Sequence, residues 1–197
     1  MKKVFLLTAL LCNLSIFAQK FEAGFVGGFS ASQISGDGLA GFDKGGARLG
    51  AYISYPLKNK RINFEVGMQY LQKGSKQPSG ERGISNYNMN LHYIEVPFTV
   101  NYSLKSGLLL ETGIGAGVLV NYTEENANGT LLGESPNTLA LDFLCGIQYQ
   151  LFEQLKINVR YGNSITPIRK ESVENSLENK DWYSSLVTFA LMYKISR

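Results

Sequence analysis

Ile62-Asn63-Phe64-Glu65-Val66-Gly67-Met68-Gln69-Tyr70 decides the fold of this chain. Every second residue is apolar and every intervening one is polar or glycine, the period-two pattern of a β-strand with two unlike faces. The same rhythm returns in Leu155, Ile157, Val159 and Tyr161 against Lys156, Asn158, Arg160 and Gly162. It recurs in Val187, Phe189, Leu191, Tyr193 and Ile195 against Thr188, Ala190, Met192 and Lys194. Because strand side chains alternate, a chain built mostly of such segments sets one face in an apolar medium and the other in a polar one.

Lys2 and Lys3 precede an apolar stretch from Val4 to Phe17, followed by Ala18-Gln19, and together they read as a secretory signal peptide over residues 1–18. The stretch is too short to span a membrane comfortably as a helix, and no later run is apolar enough to do so. Cys12 lacks the small neighbours of a lipid-attachment cysteine and leaves with the leader. The remainder, 19–197, then holds Cys145 alone, so no internal disulfide stabilises it. Of 19 Lys and Arg against 16 Asp and Glu, two lysines belong to the leader. A nearly neutral domain with no basic patch is left, which argues against nucleic acid as a partner. Its length suits one domain, and the 11 Tyr, 11 Phe and 21 Gly favour an all-β body.

Eight strands are expected, at residues 21–32, 45–55, 62–73, 89–102, 108–122, 138–151, 155–165 and 182–195. Short connections at 56–61, 103–107 and 152–154 alternate with long ones at 33–44, 74–88, 123–137 and 166–181. That alternation is the mark of an eight-stranded antiparallel up-and-down transmembrane β-barrel with short periplasmic turns and four longer extracellular loops. Tyr55, Tyr102, Tyr149 and Tyr193 end the even-numbered strands and mark one rim. Tyr70, Tyr87, Tyr122, Tyr161, Trp182 and Tyr183 fall at the other. Such aromatics, apolar in body and polar at the tip, settle at membrane interfaces.

Periodicity does not say which face points outward, since a soluble carrier with an apolar lumen alternates in the same way. Side-chain size does. The polar face carries Gly24, Gly28, Gly50, Gly67, Gly113, Gly115, Gly117, Gly146 and Gly162 among its charges, and glycine contributes nothing to a solvated surface. A narrow barrel, by contrast, must leave some inward positions small. The polar face is therefore inside, bringing Glu22, Arg48, Glu65, Glu95, Glu111, Asp142, Lys156, Arg160 and Lys194 into the lumen. Those charges form a packed network of ion pairs and hydrogen bonds, or else stand solvated in a wet lumen. Pro97 removes a ladder donor from the fourth strand, where a bulge is expected.

These residues resemble the PorT-like outer-membrane β-barrel family of bacteria. The likeness rests on Gly24-Phe25-Val26-Gly27-Gly28, Ser35-Gly36-Asp37, the glycine-rich segment from Lys44 to Gly50, Gln72-Lys73-Gly74-Ser75, and Tyr93-Ile94-Glu95-Val96-Pro97. It implies residence in the outer membrane of a Gram-negative bacterium. The family's named member is associated with a secretion apparatus.

No catalytic set is evident. His92 is the one histidine and shares the parity of Ile94 and Val96; an interfacial lipid hydrolase could use it as a base, yet no serine and acid accompany it at convincing spacing. There is no His or Cys cluster for a metal. Asp37, Asp43, Glu124 and Glu125 read as solvated loop carboxylates, and 169–181 as a hydrated loop. No cofactor is expected; lipid is the expected surrounding, with any protein partner at the loops or the periplasmic rim. The readings left open are a structural or surface-binding barrel, an accessory of secretion, and a lipid-modifying enzyme acting through His92.

Overall fold

The computed structural model describes residues 21–39, 41–57, 61–77, 87–126, 129–130, 135–170 and 181–195. The barrel strands are β1 (Glu22–Ser35), β2 (Lys44–Pro56), β3 (Ile62–Lys76), β4 (Asn88–Ser103), β5 (Leu108–Asn126), β6 (Leu139–Phe152), β7 (Leu155–Ser164) and β8 (Tyr183–Lys194). Each pairs antiparallel with its neighbours in sequence, and β8 returns to β1 from Gly24↔Lys194 to Ser35↔Tyr183. Closure leaves no free edge in the barrel wall, so its backbone donors and acceptors pair with one another as hydrocarbon requires. A further two-residue strand, Gly129–Thr130, folds back on the tip of β5.

The faces are divided as their chemistry demands. Phe25, Phe29, Met68, Leu139 and Phe189 stand outward at 59, 76, 65, 69 and 56% exposure, whereas Arg48, Glu95 and Asp142 are essentially sealed from solvent. Apolar residues on the outside of a closed barrel make sense only in lipid. On β4 the stretch from His92 to Tyr102 spans about 25 Å across the membrane, at about 3.3 Å per residue and a tilt of about 40°.

Small residues stand where large ones need room. Gly28 lies beside Arg48 on the adjacent strand, Gly50 beside Gln69, Gly117 beside Glu95 and Gly115 beside Asp142. Gly146 lies between Glu111 on one side and Arg160 on the other. A Cβ on Gly115 would come within 2.9 Å of the Glu95 carboxyl carbon. Gly115 is thus space into which a lumen carboxylate lies, while Gly28, Gly50 and Gly146 let the neighbouring backbone approach closely.

Pro97 does not produce the expected bulge. Pairing of β3 with β4 keeps one register from Val66↔Phe98 to Gln69↔Glu95 and merely lapses between them. Gly67 accommodates the ring, for a Cβ there would meet Pro97 Cγ at 3.2 Å. The irregularity lies instead between β4 and β5, where His92 faces Asn121 but Tyr93 faces Leu119. The extra residue, Val120, reverses the parity of the rest of β5, so Glu124 turns into the barrel mouth where a regular strand would point it out.

The tightest of these fits yields a prediction. A Cβ on Gly28 would lie 2.1 Å from the Phe189 carbonyl oxygen, which belongs to backbone that has no freedom to withdraw. Gly28→Val is expected to lower unfolding stability by about 1–3 kcal/mol in a urea titration of the detergent-folded protein, or to prevent folding.

Candidate functional site in the lumen and its outer cap

The lumen is occupied by a connected polar network to which seven of the eight strands contribute. Arg48 from β2 donates through Nε to Gln69 Oε1 at 2.9 Å, and through Nη1 to Asn158 Oδ1 at 2.6 Å and Thr188 Oγ1 at 3.0 Å. Gln69 passes the chain on, its Nε2 donating to Glu95 Oε1 at 2.7 Å. Lys73 bridges Asp142, in direct contact, and Glu95 at 3.9 Å. On the opposite wall Arg160 pairs with Glu111, whose second oxygen accepts from Gln148 at 2.7 Å and Asn158 at 3.0 Å.

Charges of both signs are enclosed. Among the described residues of the lumen, Arg48, Lys73, Lys156 and Arg160 face Glu65, Glu95, Glu111 and Asp142, and toward the mouth Lys44 and Arg169 are buried with Glu124. Glu22 and Lys194 form a further pair, 3.3 Å apart, at the half-exposed short-turn end. Two cavities inside the network, one beside Glu65, Thr99 and Arg160 and the other beside Glu95, Leu144 and Thr188, measure about 10 Å³ each, room for roughly one water apiece. Lys73, the last residue of the expected strand 62–73, is the member missing from the inward charges read from the sequence, although it shares the parity of Glu65 and Gln69.

Above the network the mouth is closed by an apolar layer of Ile34, Met89, Leu91, Tyr93, Ala140 and Ile168. The segment after β7 does not run free as a hydrated loop here. Ile168 N donates to Trp182 O and Trp182 N to Arg169 O, drawing 168–169 across the opening. Arg169 then grips Glu124 with two donors, Nη2 to Oε2 at 2.6 Å and Nη1 to Oε1 at 3.2 Å, while Tyr87 donates its hydroxyl to Glu124 Oε1 at 2.7 Å. The guanidinium lies 4.7 Å from the centre of the Trp182 ring. Burial alone would raise the Glu124 carboxyl; hydrogen bonds from Arg169 and Tyr87 with the nearby positive charge outweigh it and hold the group below the ordinary carboxylate range.

The rim aromatics fall into two sets. Tyr102, Tyr149 and Tyr193 stand outward at the short-turn rim, with Tyr55 half-buried in the same position on β2. Tyr70 and Tyr161 face outward at the other rim. Trp182 is not with them: it packs on the apolar layer of the mouth, because its pairing with Arg169 turns it inward. His92 is on the outer wall, its Nδ1 2.5 Å from the Tyr70 hydroxyl. No group of His, Cys, Asp and Glu among the described residues has the arrangement of a metal site.

The sequence profile described as outer membrane protein beta-barrel domain matches residues 17–170, most of the chain. The chain belongs to that family. Curated proteins give no match to this outer membrane barrel. Among solved structures it is similar to Ail, the attachment invasion locus protein of Yersinia pestis, crystallised with the heparin analogue sucrose octasulfate: TM-score 0.55, 14% identity, 89% of this chain and 99% of that one covered. It is also similar to Neisserial surface protein A, with TM-score 0.53, 16% identity, and 89% and 97% of the two chains covered. Identities this low establish a shared fold. The protein is thus an integral outer-membrane barrel, and lipid is the medium its apolar face meets.

Two expectations follow from the geometry of this outer membrane barrel. Glu111→Leu strands the buried Arg160 charge and should cost about 3–5 kcal/mol in urea unfolding, whereas the double change Glu111→Gln with Arg160→Met removes both charges and should cost less. At the cap, the folded Glu124 value lies below the unfolded one, so the contact stabilises fully above the ordinary carboxylate range and is lost as pH falls through the depressed value. Trp182, the chain's one tryptophan, reports that loss: its emission should shift to the red with a midpoint below the usual carboxylate pKa, and Glu124→Gln should abolish the transition.

Proposed function

We propose that this outer-membrane protein is a sealed anchor whose work is done outside the membrane, by binding through its extracellular loops. The observation that carries this reading is the lumen: among the described residues it is filled by buried ions and hydrogen-bonded side chains, and the two cavities within that network measure about 10 Å³ each, smaller than a hydrated solute. In this proposal Glu22, Arg48, Glu65, Glu95, Glu111, Asp142, Lys156, Arg160 and Lys194 serve the barrel's own cohesion, with Lys73 added to them. Tyr55, Tyr102, Tyr149, Tyr193, Tyr70 and Tyr161 fix its depth in the bilayer.

The reading includes an export leader over 1–18, a barrel domain over 19–197, and kinship with the PorT-like group, for which the glycine-rich first two strands and Tyr93-Ile94-Glu95-Val96-Pro97 speak. The leader lies outside the described residues. His92 has no catalytic part in it. Its ring nitrogen meets the Tyr70 hydroxyl, and no serine and acid stand beside it among the described residues to make it a general base. Binding of a heparin analogue is a property of the Ail complex and is not carried over, since the described outer loops and strand tips mix Asp37, Asp43 and Glu125 with Lys76 and Lys170.

The experiment is conductance in planar bilayers. A barrel of this kind is expected to insert and give no sustained single-channel steps. Large, stable steps would show an open lumen and end the proposal.

A further inference from the structure

The lumen contains one carboxylate that the network of direct contacts leaves out. Glu65 on β3 is 4% exposed, yet it takes part in none of the ion pairs among the described residues, and its Oε2 accepts no hydrogen bond. A buried carboxylate oxygen without a donor is rare in folded proteins, because the hydration it gives up has to be replaced. Two further polar atoms are in the same condition. Thr99 Oγ1 on β4, directly across the ladder from Glu65, and Arg160 Nη1 on β7 have no hydrogen-bond partner, in residues only 1 and 3% exposed. Arg160 directs its Nε at Glu111, which leaves Nη1 without an acceptor.

All three residues line one cavity of about 10 Å³. Its origin is local. Between the paired Glu65 and Thr99 and the paired Gln69 and Glu95 stand Gly67, which has no side chain, and Pro97, which has only a short ring, so that level of the lumen is left unfilled. The volume is about what one water needs. Chemistry excludes other occupants of that size: a cation would lie against the Arg160 guanidinium, an anion against the Glu65 carboxylate, and an apolar occupant would leave all three polar atoms unpaired. What fits is a small neutral molecule that both donates and accepts. Arg160 also borders the companion cavity, but there the one other atom without a hydrogen bond among the described residues, Glu95 Oε2, stands 3.9 Å from Lys73 Nζ, and Leu71, Leu144 and Leu186 supply much of the wall.

We propose that the cavity beside Glu65 binds one long-lived water molecule, which joins this carboxylate to the rest of the network. The water accepts from Arg160 Nη1 and donates to Glu65 Oε2, with Thr99 Oγ1 as its third partner. Arg160 then serves two carboxylates, Glu111 directly and Glu65 through the water. The site lies wholly in the lumen and does not depend on what the outer loops bind.

The test measures nuclear Overhauser transfer from water to methyl groups in the full barrel, folded in deuterated detergent with methyl-labelled threonine and methionine. Thr99 and Met192 both line the cavity, and in wild type their methyls should receive transfer of the sign that marks a water bound for longer than the molecule takes to tumble. Glu65→Gln keeps a hydrogen-bonding group at that position and should keep the signal. Glu65→Met puts an apolar chain there and should abolish it; the Thr99 hydroxyl and the Arg160 guanidinium remain in that variant, so the loss excludes transfer relayed through their exchanging protons. Absence of the signal in wild type, or its persistence in Glu65→Met, would overturn the proposal. A crystal structure of the wild-type barrel that resolves ordered solvent is the arm that needs no variant to fold. One oxygen within hydrogen-bond reach of Glu65 Oε2, Thr99 Oγ1 and Arg160 Nη1 is expected, whereas a direct Glu65–Arg160 contact, a metal ion in its place, or no density in the cavity would contradict the assignment.

Discussion

A closed backbone ladder leaves a narrow interior, and whatever the strands turn inward must fit there and be neutral. This single constraint organises the molecule. Hydrocarbon outside forbids unpaired backbone groups and so forces closure. Closure at eight strands then makes volume scarce. The glycines beside Arg48, Gln69, Glu95 and Asp142 and the interleaving of buried cations with buried carboxylates answer those two demands, one of space and one of charge. Neither would have a physical reason on a solvent-facing sheet.

The same arrangement explains why the two ends differ. At the short-turn end the polar interior grades into water through the half-exposed Glu22–Lys194 pair. At the loop end the network is separated from the exterior by an apolar layer and then by the Glu124–Arg169 clamp. The bulge at Val120 makes that clamp possible by turning the last residues of β5 inward. A local defect in pairing thus decides the chemistry of the mouth.

Period-two alternation exposed most of the fold, because each strand has one face in lipid and the pattern is a direct record of that contact. The orientation was legible too, through glycine. What escaped were features that depend on distant partners. Pro97 looks disruptive along the chain, yet Gly67 across the sheet absorbs it, while the true bulge at Val120 has no mark in its own neighbourhood. Trp182 and Arg169 pass for rim and loop residues until their pairing with each other folds them over the lumen. Glu124 reads as a solvated loop carboxylate because the strand runs past its expected end at 122 to Asn126, and the bulge then turns it inward.

The central claim is that the apolar face meets lipid and the polar face fills the lumen, and the methionines of the barrel test it without any mutation. Met68 stands outward at 65% exposure, whereas Met89 and Met192 are enclosed at 0 and 1%. With methyl-labelled methionine in nanodiscs containing a lipid spin-labelled along its acyl chain, the account expects the Met68 methyl resonance to broaden strongly while those of Met89 and Met192 stay sharp. Broadening of Met192 with Met68 protected would contradict it.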